Sequence, residues 1–304
     1  MKRVSQRGVA ILIALVVIAI AAGIAARMIW DRNLELHRTE NLLRFQQNYE
    51  YALGAESWID SLMHEELGTG PTVSLTQTWA QKLPPFPIPH GAIVGQITDL
   101  QGFFNLNNLS AQGGGIDPNQ LGVFERLLVE LRINPEVAQA VASWVASSPG
   151  GSMSSMNSTY AAEDPPYRAP MAPMASTTEL RLIAGLTINQ YQRLRLWVVA
   201  LPVPTAINVN TAPLEVLDAL VPGITPSALE AILKQQRAGG FGSVGEFEGL
   251  LGQTVTVPIG TDSSFFRLHL DIHFAGTRFH LSSLLYREPS GSFRVYTQTL
   301  GSGG

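Results

Sequence analysis

The sequence lacks cysteine altogether and contains few charged residues. None of its 304 residues is Cys, which excludes disulfides and thiolate metal sites. Charged residues make up 14% of the chain, and the net charge of −4 provides no general basic field to attract nucleic acid. Stability must therefore come from packing. With 45% hydrophobic residues, the chain is long enough for one large domain or two ordinary ones with a proper core.

Charge is also absent from a long stretch near the N-terminus. The 18 residues from Val9 to Ala26 are uncharged and mostly Val, Ile, Leu and Ala, and they follow a leader containing Lys2, Arg3 and Arg7. Such a run is long enough to span a bilayer as a helix. Leader cations favour a cytoplasmic N-terminus, so the body from Asp31 onward is expected outside the cytoplasm. The alternatives are a simple signal anchor and a cleaved signal peptide, although this run exceeds the usual 7–15-residue core of a signal peptide.

The apolar run continues into a helical pattern. Between residues 31 and 66 only Gly54 interrupts a sequence otherwise free of Gly and Pro. Apolar residues recur there at three- and four-residue steps, which predicts an amphipathic helix continuous with the membrane segment. The predicted apolar face consists of Leu34, Leu42, Phe45, Tyr49, Ala52, Ala55, Trp58 and Leu62.

A short basic leader ending in Gly8, joined directly to a long apolar helix, resembles the type IV pilin and pseudopilin family. The resemblance implies cleavage after Gly8 and N-methylation of Val9. Family members usually carry Glu at the fifth mature position, which here is Ile13. That Glu pairs with the N-terminal amine of the subunit above. A subunit with Ile there is therefore expected at the tip, and the branch lacking this Glu is the minor pseudopilin known as general secretion pathway protein K.

The resemblance to this branch of the type II secretion system also implies partners and a location. The expected partners are the I- and J-type minor pseudopilins, the H- and G-type pseudopilins, the prepilin peptidase, the inner-membrane secretion platform and exported cargo. The expected location is the inner membrane, with the bulk periplasmic and at the pseudopilus tip after assembly. The expected function is non-enzymatic: capping the pseudopilus and supporting export across the outer membrane.

The remaining sequence predicts a pilin-like α+β fold. After a Pro-rich connector at residues 71–89, Gly91–Thr98 and Phe103–Leu109 are predicted to be strands around a turn. Strict two-residue alternation near residues 266–274 begins a three-stranded antiparallel meander. The long helix is thus expected to pack on an antiparallel sheet. The predicted divisions are a leader (1–8), a transmembrane helix (9–30), its periplasmic continuation (31–66), a sheet (84–110 and 255–300) and an all-helical insertion (111–253).

Two segments of the insertion resemble helix-hairpin-helix units and support an alternative function as a membrane-anchored DNA-uptake receptor. DNA-binding hairpins usually present Gly-hydrophobic-Gly to a phosphate, whereas this chain has Gly185-Leu-Thr187 and Gly223-Ile-Thr225. Basic residues near the second unit are sparse, and DNA affinity requires several phosphate contacts. Packing against protein is therefore the favoured interpretation, and nucleic acid is not expected as a partner.

No combination of residues suggests a nucleophile, base and oxyanion site together, so the protein is not expected to be an enzyme. His269, Asp271, His273 and His280 could hold a metal, but the solvent face of a sheet is the favoured interpretation. No cofactor is expected. K-type relatives can bind calcium in the insertion, which leaves Glu163 and Asp164 as a calcium alternative, although calcium normally takes six to eight oxygen ligands.

Overall fold

A computed structural model describes residues 6–147 and 158–301, with side chains from Val9 onward. Its dominant element is a single unbroken helix, α1 (Gln6–Glu66). The apolar segment at the start of α1 touches no other part of the described chain. Only the C-terminal third of the helix packs on the body, which confirms one helix running out of the apolar segment.

The buried stripe of α1 differs from the predicted apolar face. The buried residues are Asn48, Ala52, Glu56, Ile59 and Met63, at steps of three and four. Most of the predicted face lies to the sides of this stripe, and its large aromatic side chains remain partly exposed. The predicted face is confirmed in part, because Ala52 is buried and Tyr49, Ala55 and Leu62 pack against the sheet core. Leu34, Leu42 and Trp58 remain exposed, since hydrophobicity also marks apolar surface of α1 that the sheet leaves uncovered.

A five-stranded sheet covers the buried stripe of α1, in the order β1-β2-β7-β8-β9 and antiparallel throughout. The predicted C-terminal meander is confirmed. Alternation places Leu268, Leu270 and Ile272 against α1, while the intervening residues point away from it. The strands are β1 (Phe86–Ile88), β2 (Gly91–Asp99), β7 (Phe265–Phe274), β8 (Thr277–Arg287) and β9 (Phe293–Gly301).

The strand predicted for Phe103–Leu109 is wrong. Only β3 (Phe104–Asn105) is extended, and it pairs in parallel with β4 (Val198–Val199), outside the main sheet. A 3₁₀ helix, Leu106–Leu109, follows because the Asn105 side chain accepts a hydrogen bond from the Asn107 backbone amide. Asn side chains compete in this way with the ladder of a sheet. The connector at 71–89 also contains more structure than predicted, a 3₁₀ turn at Thr78–Ala80 and the edge strand β1.

Between β2 and β7 lies the largely helical insertion. Its helices confirm that the predicted insertion is mainly helical, and the first hairpin turns at Gly185, where φ is +83°. Residues 158–161 form one helical turn. The helices are α2 (Pro118–Glu130), α3 (Val137–Val145), α4 (Ile188–Leu194), α5 (Leu214–Leu220), α6 (Pro226–Ala238) and α7 (Val244–Leu251).

The body contains separate hydrophobic cores for the sheet and the insertion. The sheet core includes Trp79 and Phe266, whose rings meet edge to face at 5.4 Å. The insertion core includes Phe104 stacked on Phe124 at 5.2 Å. A smaller cluster around Leu100, Val199 and Phe265 lies between them. Two short parallel strands, β5 (Ile207–Asn208) and β6 (Ile259–Gly260), close the insertion beside the sheet.

Candidate functional site

The apolar part of α1 is the first candidate site. Among the described residues, α1 is the one helix long and apolar enough to cross a membrane. Ile13, the predicted tip determinant, is 59% exposed on it and touches no other part of the fold. Gly8 and Val9 lie on the same helix. A side chain at position 13 is therefore available to lipid or to a neighbouring helix and makes no contact with the body.

An apolar groove on the same helix is a second exposed surface. It has a volume of about 740 Å³ and lies between α1 and the Pro-rich connector. Trp58 and Phe86, with ring centroids 6.4 Å apart, stand at its edge and are 52% and 59% exposed. No atom lies within 4 Å of a Cβ added at Gly54, so the helix is accessible there. Exposed apolar surface of this kind is typical of protein interaction sites.

The junction between sheet and insertion is organised by the buried carboxylate of Asp99, at the end of β2. Its Oδ2 accepts hydrogen bonds from the hydroxyls of Ser263 and Thr211, both at 2.6 Å, and from Asn208 Nδ2 at 3.0 Å. Its Oδ1 accepts the Gln101 backbone amide at 2.8 Å. Three separate segments therefore converge on one carboxylate, which fixes the insertion relative to the sheet.

Burial raises the pKa of Asp99, and the hydrogen bonds from Ser263, Thr211, Gln101 and Asn208 oppose this rise. Sequence reasoning assigned Asp99 to a turn and missed this role. Asp99 and Asn208 are 109 positions apart, so no local pattern connects them. The one feature of the sequence that pointed to this role was the position of Asp99 at the end of an apolar strand.

The C-terminal end of α1 is held by Arg287 of β8. Its guanidinium donates to the backbone oxygens of Leu67 at 3.2 Å, Gly68 at 2.8 Å and Gly70 at 2.7 Å. These carbonyls lie just beyond the helix, where backbone acceptors otherwise lack partners. A cation there also complements the negative end of the helix dipole. Arg287 therefore locks α1 to the sheet, and desolvation lowers its pKa. Sequence analysis did not identify it.

The outer face of the sheet carries the predicted histidine cluster. His280 pairs with Asp271 across β7 and β8, with His280 Nδ1 hydrogen-bonded to Asp271 Oδ1. His269 and His273 are exposed on β7. Within the ranges that the structure describes, no three His, Cys, Asp or Glu residues are grouped closely enough to hold a metal. The face is open to solvent, as the favoured interpretation required.

Within the described residues, the calcium alternative at Glu163 and Asp164 gains no third acidic or histidine ligand. Both residues are exposed, and no third His, Cys, Asp or Glu of the described chain joins them in a metal-binding group. The neighbouring residues 148–157, outside the described part, contain no acidic residue in their sequence. Two exposed carboxylates fall short of the oxygen ligands that calcium takes.

In both hairpins a threonine stands where the Gly-hydrophobic-Gly pattern has its second glycine, and each threonine caps a helix. Thr187 caps α4, where its side chain accepts the Gln190 amide, and Thr225 caps α6 through the Ala228 amide. Each threonine thus occupies a helix N-cap, where its side chain satisfies a free backbone donor. The segment Gly240–Gly245 matches the pattern GxGxxG, but it follows α6 and not a strand. Its first four residues join α6 to α7 as a loop, and Gly245 already lies in α7.

We predict that the full chain in detergent binds duplex DNA only weakly, with no sub-micromolar affinity at physiological salt. Non-specific binders reach about micromolar affinity through several phosphate contacts. Lys234 and Arg237 lie about 13 and 18 Å along α6 from Thr225 and cannot support a phosphate at that loop. Fluorescence anisotropy over a salt series measures this. Tight, salt-sensitive binding lost in Lys234→Gln would contradict the prediction, whereas Lys82→Gln, in the connector, serves as the control.

Comparison with known proteins identifies related chains. Residues 102–203 and residues 207–262 match two family models, both described as type II secretion system, protein K. The type II secretion system protein K of Pseudomonas aeruginosa is 31% identical to this chain, covering 99% of it and 95% of the relative. The protein of the same name from Pectobacterium carotovorum is also 31% identical, covering 93% of each.

A solved structure shows the same fold. It is the structure of the GspK-GspI-GspJ complex from the type 2 secretion system of enterotoxigenic Escherichia coli. One chain of that complex superposes with a TM-score of 0.76 at 26% identity, covering 88% of this chain and 100% of that chain. The similarity therefore includes the insertion as well as the sheet.

Proposed function

Because this chain belongs to the type II secretion system protein K family, a family of minor pseudopilins, we propose that it caps the tip of the secretion pseudopilus and supports protein export. The I- and J-type minor pseudopilins are its proposed immediate partners, since the related chain is solved in a complex with GspI and GspJ. The H- and G-type pseudopilins, the prepilin peptidase, the inner-membrane platform and exported cargo complete the proposed set of partners.

The observation that carries this proposal is Ile13, an exposed apolar residue at the fifth position after Gly8. A carboxylate there would pair with the amine of a subunit above, and Ile13 cannot. The placement of the insertion also supports a position at the filament tip. The insertion lies beyond the C-terminal end of α1, away from the membrane segment. A subunit that carries a large insertion on its membrane-distal side, and lacks the carboxylate that would pair with the amine of a further subunit, is suited to the end of a filament. The groove at Trp58 and Phe86 offers further surface for lateral packing.

The proposal is tested by locating the protein in assembled filaments. Deleting the gene should abolish secretion, and the full chain should restore it. Gold labelling through an epitope placed after Gly301 should mark one end of each filament. Labelling distributed along the shaft would contradict tip capping, and normal secretion without the gene would contradict a role in export.

We predict that the leader is removed after Gly8 and that Val9 becomes N-methylated. The reason is the direct junction between basic leader and apolar helix. Mass spectrometry of membrane-extracted protein should show a chain beginning at methylated Val9, and this form should disappear when the prepilin peptidase is deleted. A mature end near Met28 would instead indicate ordinary signal peptidase.

A further inference from the structure

The outer face of the sheet is divided into an apolar half and a polar half. At the end near the insertion, Phe265, Leu284 and Tyr286 pack with Leu100, Val199 and Leu201. Towards the β7–β8 turn, no part of the described chain covers the face. This open half lies beside the membrane-proximal part of the packed helix, since Asn48 of α1 bonds to Thr277 at the turn.

The open half is basic although the whole chain is acidic. Arg267 and Arg278 project from β7 and β8, and three of the six histidines of the chain accompany them. The single carboxylate among them, Asp271, is already hydrogen-bonded to His280. Facing residues on the flanking strands are uncharged. They are Ala92, Val94, Gln96 and Thr98 on β2, with Thr297 and Thr299 on β9.

Arg267 is the most informative residue on this surface. It lies half-buried on β7, beside Thr98 and Leu284, and burial lowers its pKa. Among the described residues, its guanidinium has no hydrogen bond or ion pair. A partly desolvated guanidinium without a partner carries a free-energy cost that a carboxylate from outside would offset. Arg287, the other arginine held on this sheet, has several backbone acceptors by contrast.

From these charges we propose that the open half of the sheet's outer face, around Arg267, Arg278, His269, His273 and His280, is a docking surface for an acidic segment of a partner pseudopilin. This inference rests on the proposed function for its partner. A carboxylate of that segment pairs with Arg267, and further acidic groups face Arg278 and the histidines. Charge complementarity favours the acidic partner, because the face offers guanidinium and imidazole donors and one carboxylate that is already engaged.

The decisive variant is Arg267→Met, which retains an apolar stem and removes the charge. Full-length variants are assembled in detergent with the I- and J-type partners, and both Tm of the free chain and Kd of the complex are measured. We expect an unchanged or higher Tm with a Kd weakened about tenfold, since loss of an unpaired buried charge does not destabilise the free chain. A structural role alone would lower Tm and leave Kd unchanged, which would overturn the proposal.

Arg278→Glu tests the same surface at an exposed position where folding is not at risk, and Arg181→Glu on the insertion is the matched control. We expect weaker assembly for Arg278→Glu, strongest at low salt because the Debye length shortens as salt rises. The control should assemble like the wild type. Equal effects of the two substitutions would overturn the proposal, since net charge alone would then account for both.

The histidines provide a further readout. Burial, followed by the nearby Arg267, lowers the pKa of His269, and Asp271 opposes this. Docked carboxylates raise histidine pKa values, so the complex should be tighter near pH 6 than near pH 8. Arg267, Asp271 and Arg278 are the charged groups facing these histidines. The double variant His269→Gln, His273→Gln should reduce this pH dependence, and undiminished dependence would contradict the assignment.

Other results of these experiments would assign the face to a different occupant or overturn one of the two proposals. Thermal stabilisation by inorganic phosphate that depends on Arg267, with assembly intact, would assign the face to a free anion and overturn the proposal. Self-association lost in Arg267→Met would assign it to a second copy, with the same consequence. Absence of any complex with wild-type chain would overturn the proposed function as well, whereas intact assembly of every variant would overturn this inference alone.

Discussion

Ile13→Glu is expected to abolish or strongly reduce secretion while the protein remains stable in the membrane. An unpaired carboxylate inside the apolar span costs up to about 2.5–3.5 kcal/mol, the value reached at the centre of the bilayer. The new Glu could recover this free energy by pairing with the amine of a subunit above. The variant would then enter the shaft, where its insertion obstructs neighbouring subunits. Filaments should be shorter, and labelled protein should appear away from their ends.

Two further variants distinguish the effect of a carboxylate at position 13 from the effect of a carboxylate elsewhere in the apolar helix and from the effect of any substitution at position 13. Ile20→Glu places the same carboxylate two turns further along α1, on the same exposed side of the helix. It should lower the amount of protein in the membrane without moving the remainder from the tip. Ile13→Leu should be silent. Normal secretion by Ile13→Glu, with label only at filament ends, would show that the missing carboxylate does not set tip position and would leave the insertion's bulk as the sole determinant.

Asp99→Ala is expected to lower the free energy of unfolding of the body by at least about 3 kcal/mol. Removing a buried acceptor costs about 1–3 kcal/mol for each donor left unsatisfied, and the amide of Gln101 and the hydroxyls of Ser263 and Thr211 lose theirs. Total stabilities of about 5–15 kcal/mol make this a severe loss. Denaturant unfolding followed by tryptophan fluorescence measures it in detergent-solubilised chain.

The matched control is Asp117→Ala. Asp117 is the exposed N-cap of α2, and its Oδ1 accepts the amides of Asn119 and Gln120. Loss of such a cap costs about 1 kcal/mol. If both alanine variants lose the same stability, the convergence of segments on Asp99 does not hold the junction together.

A pH series with Asp99→Asn tests the direction of the pKa shift. The pKa of Asp99 is raised in the folded chain, so the folded state holds the proton more tightly than the unfolded state. The corresponding stability is fully present below the unfolded pKa, about 3.9, and is lost as pH rises through the folded pKa. The stability difference, wild type minus Asp99→Asn, should therefore decrease as pH rises from about 4. An increase would show a lowered pKa.

The sequence by itself determined the elements whose signal is local. The uncharged run from Val9 to Ala26 requires a helix because a bilayer leaves no other way to satisfy the backbone. The alternation of β7 identified a half-buried strand, since side chains on a strand alternate between faces. The threonines at 187 and 225 were noted as departures from Gly-x-Gly. Cleavage after Gly8 and the role of Ile13 stay predictions, which rest on the contiguous leader and apolar helix.

Only the tertiary structure decided which surfaces meet. The buried stripe of α1 depends on where the sheet lies, so hydrophobicity along the helix could not distinguish Ile59 from Trp58. The predicted strand at Phe103–Leu109 failed because Asn side chains found backbone partners in distant segments, such as Leu201, 94 positions from Asn107. The tertiary structure also decided that Asp99 has hydrogen-bond partners whereas Arg267, among the described residues, has none. Folding brings donors from three segments to Asp99, and within the described ranges it brings no carboxylate to Arg267. Neither result is encoded in the residues beside them.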